Sequence, residues 1–545
     1  MTTNFITKLR KKAKAGDSVA QNEWGRALWE TDPQEAMQWL RSAAKSGTLD
    51  LCRFPIDDLS ILEGMPQLTC LNLRGCRRLA NVEALAEFPR LTAINLRACS
   101  ALKNIDSLAG LTRLTILDLT YCTKLQRVDV LAELRGLTHL ELGHCGVRLR
   151  NLDILSGLRN LVSLNLNECS FLTNIDALAG LRRLATLNLM DCHNVANVDA
   201  LAGLPRLETL NLSGCHSLKS ANTLSRLTRL KHVVLDDVTF LLNVDVRKRF
   251  GQFASLELRH CESWKNLNFI AEMINLKDLC LVGCKSLKNV SALSQLPRLT
   301  SLSIFDAGVL TNVKALATLH QLTFLILDCD KLINIDSLSD LTRLRNLDLF
   351  CHSLKNVDCL AGLNQLRNLY LAVGKGLTKV NWVNGLSHLE YICLVGCLAL
   401  KNVNGFAGMP RLEKIELRYC FALQNVDGLA GMPRLQNLAL RYCHSLKNVD
   451  GLAGLTSLSH LYLEDGKSLS NIDALAGLTQ LQSLQLSECH GLKSVNALAG
   501  LTNLTYLSLS GCDSLENVDA LDGLSIDRII LPEIGKYSTP RLHNK

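Results

Sequence analysis

The side chains best equipped for chemistry recur at fixed intervals. Fourteen cysteines share one position: Cys76, Cys99, Cys122, Cys145, Cys169, Cys192, Cys215, Cys261, Cys284, Cys397, Cys420, Cys443, Cys489 and Cys512. Histidine follows directly at Cys192-His193, Cys215-His216, Cys443-His444 and Cys489-His490. A thiol beside an imidazole could bind zinc or act as an activated nucleophile. The pattern argues against both. Neighbours at a strand end point opposite ways, so each Cys turns inward and each His faces solvent. No spacing makes four ligands converge. Where Cys is missing, Val238, Ala307, Gly374 and Gly466 stand in, and Cys329 and Cys351 come one place early. A slot that accepts Cys, Val, Ala and Gly is a tight buried pocket, in which a thiol packs as a small hydrophobe with a weak S–H donor. Disulfides along such a ladder would need strained geometry, so the spacing points to reduced thiols and a reducing compartment.

Two polar ladders accompany the cysteines. The Asn five residues on (Asn81, Asn104, Asn174, Asn197, Asn289, Asn402, Asn425, Asn448, Asn471, Asn517) is expected to satisfy turn backbone groups of the next layer. The Asp of N-V-D (Asp106, Asp176, Asp199, Asp427, Asp450, Asp519) is expected to cap backbone N–H groups where a return turn begins. A catalytic group should break the period, and these keep it. No phosphate loop, nucleophile elbow or zinc motif is present. No catalytic residue, cofactor or metal is therefore expected.

The elements that position these residues follow from the leucines. Aligned on the second leucine of L-x-x-L-x-L, twenty units run from Leu73 to Leu509. The step is 23 residues, except 24 from Leu142 to Leu166 and 22 at the units ending on Leu349 and Leu371. The unit reads L-x-x-L-x-L-x-x-C-x-x-L-x-N-V-D-A-L-A-G-L-x-x, nearly intact in LTNLTYLSLSGCDSLENVDALDGL at 501–524. It resembles the leucine-rich-repeat family over about residues 49–532. Within that family it looks most like the short internalin-like and phosphatase-regulator-like subclass, from which it departs in having Cys where Asn is usual. The resemblance implies an α/β solenoid, an arc or horseshoe with a parallel concave β-sheet. Alternation in x-L-x-L-x sends both leucines inward and their neighbours outward. V-D-A-L-A-G-L returns the chain by a short helical or 3₁₀ turn, and stacked units form one continuous core.

Residues 1–47 are patterned for helices instead. Ala13, Gly16, Ala20, Gln21, Trp24, Gly25, Leu28, Ala36, Trp39, Ala43, Ala44 and Gly47 resemble a single Sel-like repeat, a relative of the tetratricopeptide helix pair. Its expected role is an α-helical N-terminal cap over the first open layer. The solenoid then spans 48–532, opening on a degenerate unit with Leu49 and Leu51 in strand phase, and 533–545 is a polar C-terminal tail.

Outward strand positions are where binding can reside. Early in the array the central one is a row of short amides and acids: Asn72, Asn95, Asp118, Glu141, Asn165, Asn188 and Asn211. This row is expected to solvate the sheet. From the eleventh unit the row changes to Phe305, Phe324, Ile326, Phe350, Tyr370, Tyr391 and Val395, then Arg418, Tyr419, Arg441, Tyr442, Tyr462 and Tyr506. Seven of the eight tyrosines lie at outward strand positions or the strand edge, Tyr121 among them. Exposed aromatics with Arg are what protein interfaces concentrate.

Net charge is +8 over 545 residues and spread along the chain, which gives no stripe of the kind nucleic-acid binding needs. No apolar run approaches a membrane span, and the first residues have no apolar core of a secretory signal. These readings imply a non-enzymatic scaffold, a monomer, that holds a protein partner on its sheet. The expected setting is the bacterial cytoplasm, or a host cell's cytosol for a delivered effector. An enzyme or enzyme-activating subunit with an unrecognised site is the reading from another class.

Overall fold

The computed structural model describes residues 3–219, 222–236, 250–262 and 264–532. The tail at 533–545 and Val238 lie outside them. The chain divides into two compact units, Met1–Arg259 and His260–Lys545. Among the described residues the first holds three α-helices and ten strands, the second twelve strands. Every strand pairing recorded within a unit is parallel and in register. Leu71 stands beside Ile94, Leu117 beside Leu140 and Leu325 beside Leu347. These paired side chains are buried, and the chain returns through 3₁₀ turns such as Asp199–Gly203 and Asp336–Asp340. Tight i→i+3 bonds make these turns, for example Leu201 N–H to the Val198 carbonyl at 3.0 Å. A unit of this length leaves no room for a full α-helix, and the shorter 3₁₀ form fills the gap.

In the first unit most short strands end on the same side-chain turn. In the strands Cys70–Asn72, Ala93–Asn95, Ser163–Asn165, Thr186–Asn188 and Thr209–Asn211, the last residue's Oδ1 accepts the N–H two residues on, at 2.9–3.1 Å. Asp118 does the same at 2.9 Å. This turn bends the backbone after three residues, while N–H groups beyond it, such as those of Leu73 and Gly75, still donate to the next layer at 2.7 Å. The amide row that was expected only to solvate the sheet is thus part of its framework. Where the Asn is replaced, as by Ile326, Tyr370, Cys393 or Ala439, the strands run to five residues. Asp348 also sits in a five-residue strand, and Tyr462, Gln485 and Ser508 end three-residue ones without an Asn.

The ladder assignments need two corrections. The Asn of N-V-D serves its own layer, not the next: Asn174, Asn197, Asn289 and Asn471 each accept the N–H two residues on at 2.6 Å. Among the described residues the Asp carboxylates take side-chain donors in place of a turn N–H, Asn174 Nδ2 at Asp176 and Thr223 Oγ1 at Asp199. The Asp's own N–H is the group being satisfied, and Asn174 Nδ2 reaches back to the Asp176 carboxylate at 2.9 Å. A side chain already at the first helical position points away from the free N–H groups, while one two residues earlier faces them.

All 21 cysteines are free thiols, sixteen of them buried. Along much of the ladder Sγ donates to a leucine carbonyl of the preceding layer, as Cys99 to Leu73 and Cys192 to Leu166, both at 3.1 Å. These cysteines therefore tie layer to layer while filling the pocket. Burial pushes the Cys76 thiol up to about 11 and that of Cys192 up to about 12. Thiolates are the reactive form. In native protein, thiol titration with Ellman's reagent is expected to find four early groups, the half-buried Cys52, Cys70, Cys145 and Cys280, with Cys359 slower because burial pushes its thiol up to about 12. Cys145 should lead, because the hydrogen bond from Cys169 holds it below its ordinary value. The sixteen buried thiols should react only in denaturant. Rapid native titration of the sixteen buried thiols would contradict this packing.

The N-terminal residues form three helices where two were expected: α1 (Thr3–Lys14), α2 (Ser18–Leu28) and α3 (Pro33–Ala44). Asp17 and Asp32 cap α2 and α3 through the N–H groups of Ala20 and Glu35. Gly25 lets α2 and α3 touch: a Cβ there would stand 2.9 Å from Leu40 Cγ. Asn22 of α2 bonds both backbone groups of Asp50, giving Nδ2 to its carbonyl at 2.6 Å and taking its N–H at 3.0 Å. The strand Thr48–Asp50, paired on its other side with Cys70–Asn72, thereby has edge groups satisfied by a helix.

Candidate functional site

In the second unit the five-residue strands present three outward rows. Parallel register fixes who stands beside whom. The first row runs Phe324, Asn346, Asn368, Tyr391, Lys414, Asn437, and the middle row Ile326, Asp348, Tyr370, Cys393, Glu416, Ala439, Tyr462. The third runs Asp328, Phe350, Ala372, Val395, Arg418, Arg441. Phe305 directly follows the strand Ser301–Ile304, and Tyr506 opens the strand Tyr506–Ser508. Phe305, Phe324, Ile326, Phe350, Tyr370, Tyr391, Arg418, Arg441, Tyr442, Tyr462 and Tyr506 are all half-buried and Tyr419 is exposed. None of these side chains is swallowed by the core.

They gather in clusters, not in one continuous surface. Phe350 and Tyr370 meet with ring centres 4.8 Å apart. Lys414 Nζ lies 4.9 Å over the Tyr391 ring and the Arg441 guanidinium 5.1 Å over Tyr462. Tyr506 lies five strands beyond Tyr391, about 24 Å at the usual parallel spacing, and its ring meets Arg528 at 5.7 Å. Between the clusters the face closes on itself. Cys393 and Ala439 are buried there, and burial pushes the Cys393 thiol up to about 11.

A cavity of about 210 Å³ lies among Lys414, Glu416, Arg418, Arg441 and Tyr462. Glu416 is its anchor. Its side chain is 7% exposed, paired with Lys414 at 2.7 Å and with Arg418. Burial pushes this carboxyl up, but the hydrogen bonds and charges of Lys414 and Arg418 outweigh burial and hold it below its ordinary range. Arg441 Nε pairs with Glu464 at 3.2 Å.

Tyr419 and Tyr442 require correction. They are not on the strand but one residue past it, at φ of 56° and 57°. The residue before each Cys takes this left-handed conformation in most layers, and Gly75, Gly214, Gly283, Gly396 and Gly511 occupy the same slot. A bulky side chain there costs about 1 kcal/mol or more. The units with Cys329 and Cys351 lack this residue, which is why their Cys comes early. Tyr419 and Tyr442 stack at 4.6 Å. Beside them Phe421 stacks on His444 at 4.8 Å, and His444 bonds Asp465 at 2.9 Å. Phe421, Lys414 and Glu416 were missed because their periodic slots are polar or variable elsewhere. The Gly residues of the left-handed slot were the available signal for Tyr419 and Tyr442.

Of the His residues that follow Cys, His193, His216 and His490 are exposed as expected and His444 is half-buried; His193 stacks on His216 of the next layer at 5.2 Å. No helix among the described residues is long and apolar enough to cross a membrane.

Comparison with known proteins agrees with this geometry. A family model described as BspA type leucine rich repeat region matches six copies, over residues 188–307 and 410–529. The fold is that of a leucine-rich-repeat solenoid. Among solved structures the chain is similar to TLR13 in its complex with ssRNA13, with a TM-score of 0.62 at 20% identity, covering 89% of this chain and 80% of that one. It is also similar to a leucine-rich-repeat protein of Leptospira interrogans, at 16% identity over 70% of this chain and 93% of that one, with a TM-score of 0.47. The functional domain of InlJ from Listeria monocytogenes, which includes a cysteine ladder, matches at 20% identity over 60% and 74%, with a TM-score of 0.39. No curated protein matches the sequence.

Proposed function

We propose that the protein is a non-enzymatic scaffold that holds a protein partner on the open sheet face of its second unit. The observation that carries this reading is the set of half-buried rings and guanidiniums that meet on that face between neighbouring strands, Phe350 with Tyr370 and Arg441 with Tyr462 foremost. Aromatic and Arg side chains dominate binding at protein interfaces, because they bring large contact area at low entropy cost. The turn-edge stack of Tyr419, Tyr442 and Phe421 extends the surface, and rings held at left-handed positions where Gly would fit without strain support a role beyond packing.

The setting we propose is cytoplasmic and bacterial, either in the producing cell or in a host cell after delivery. Sixteen buried free thiols suit a reducing compartment. The N-terminal helices are proposed to be a Sel-like cap, a role supported by Asn22 satisfying the edge strand at Asp50. We take the working form to be a monomer.

The test is capture of a partner by wild type and by the double variant Phe350→Ala, Tyr370→Ala. Truncating two central aromatics is expected to weaken the complex by about 30-fold or more, equivalent to about 2 kcal/mol. A partner retained equally by both proteins would remove this face from the interface.

A further inference from the structure

The first unit carries a separate site that the face patch does not use. Where its earliest strands turn, a cavity of about 670 Å³ is lined by Arg53, Arg74, Arg77, Arg78, Arg97 and Tyr121. Register brings them together. The N–H of Arg53 donates to the Arg74 carbonyl at 2.6 Å, and that of Gly75 to the Arg97 carbonyl at 2.7 Å. Gly75 is left-handed, with φ of 74°, and a Cβ there would stand 3.1 Å from Arg53 Cγ. Its missing side chain is what lets the Arg53 stem lie across the neighbouring layer. The Arg97 guanidinium sits 5.4 Å over the ring of Tyr121, which is 37% exposed.

Charge in this cavity is poorly balanced. Asp57 grips Arg78 with two bonds of 2.7 Å. Among the described residues no ion pair is formed by Arg53, Arg74, Arg77 or Arg97. Guanidiniums crowded at one edge repel one another unless an anion joins them, and their planar forks match phosphate oxygens in pairs.

The surroundings select the kind of anion. The same edge row continues into Glu168 and Asp191, so the positive strip ends within a few layers. On the sheet face of these layers a second cavity, of about 650 Å³, lies against α2; its charged lining is Glu23, Asp50, Asp118 and Glu141 with Arg26, which stands 3.9 Å from Asp50, and His139, so carboxylates outnumber cations there. A long polyanion would meet carboxylates on both sides. A peptide with one strongly anionic side chain and neighbouring cationic ones would be matched by both cavities. The geometry points to a docking site for a phosphorylated segment of a partner protein, its phosphate held in the arginine cavity and its Lys or Arg side chains on the acid-lined face.

The site can be tested without knowing the partner. The probe is a fluorescein-labelled decapeptide pool with phosphoserine fixed at the centre and the other positions randomised, alongside the same pool with serine. Anisotropy titration of the full chain should show the phosphorylated pool binding roughly tenfold tighter or more. The exposed pair Arg74→Glu, Arg77→Glu should erase that preference, while Phe350→Ala, Tyr370→Ala leaves it intact. Equal binding of the two pools by wild type overturns the proposal. So does a preference that survives charge reversal in a variant shown to be folded by circular dichroism. A randomised single-stranded RNA decamer that binds more tightly than the phosphopeptides, and is lost with the same two arginines, would reassign the cavity to nucleic acid.

Discussion

Gly428→Ala is expected to destabilise the second unit by about 3 kcal/mol or more, whereas Gly477→Ala should change stability by about 0.5 kcal/mol or less. Both glycines belong to 3₁₀ turns, Asp427–Leu429 and Asp473–Gly477. A Cβ on Gly428 would stand 2.2 Å from the Val403 carbonyl oxygen and 2.5 Å from its carbon. Those atoms are backbone of the preceding layer and cannot swing aside as a side-chain tip could. A Cβ on Gly477 meets nothing within 4 Å. Neither glycine has a left-handed φ, so the contrast isolates space from conformation. Gly405 and Gly451 face the same contact in their own layers, at 2.3 Å and 2.2 Å. Three adjacent layers are therefore pressed together where other layers carry alanine, as at Ala177 and Ala200. Denaturation followed by circular dichroism measures the difference. Similar midpoints for the two variants would mean that these layers are not packed so closely.

The second large effect is expected at Glu416. Replacing both Lys414 and Arg418 by methionine leaves a nearly buried carboxylate with neither of its cations, and should cost about 3 kcal/mol at neutral pH. The cations are themselves 49% and 40% exposed, so the loss resides in the stranded carboxylate, not in two strong surface pairs. The pH dependence should change sign. In wild type the folded-state value of Glu416 lies below its unfolded value of about 4.3. Its contribution is therefore present above that value and is lost as pH falls through the lower, folded-state one. In the double variant burial acts alone and raises the folded-state value. Stability at this site is then greatest in acid and declines as pH rises past the unfolded value. Adding Glu416→Leu should recover most of the loss and flatten the profile, since a well-packed apolar side chain replaces buried charges at little penalty. A double variant as stable as wild type at pH 7 would contradict the assigned burial.

The period of the leucines was enough to reveal the architecture. Alternation in x-L-x-L-x decides which side chains enter the core, and twenty returns in register leave one way to bury them all. The Cys slot was legible for the same reason: its substitutes are small or apolar, and fifteen of its sixteen thiols are indeed enclosed, all but Cys145. The outward placement of Phe350, Tyr370 and Tyr462 also followed from alternation alone.

What period could not supply is hydrogen-bond direction and the spacing between layers. Asn and Asp two residues apart are both plausible caps in the sequence, and only the backbone path shows that Asn174 faces the free N–H while Asp176 does not. Tyr419 follows Arg418 in the chain, yet a left-handed turn takes it off the sheet and onto Tyr442 and Phe421. The arginines at 53, 74, 77, 78 and 97 look scattered among 59 basic residues; parallel register stacks them into one cavity. Local pattern dictates which way a side chain points because that depends on two dihedral angles. Which charges become neighbours depends on how layers far apart in the chain come to rest on one another, and that was decided only by the tertiary structure.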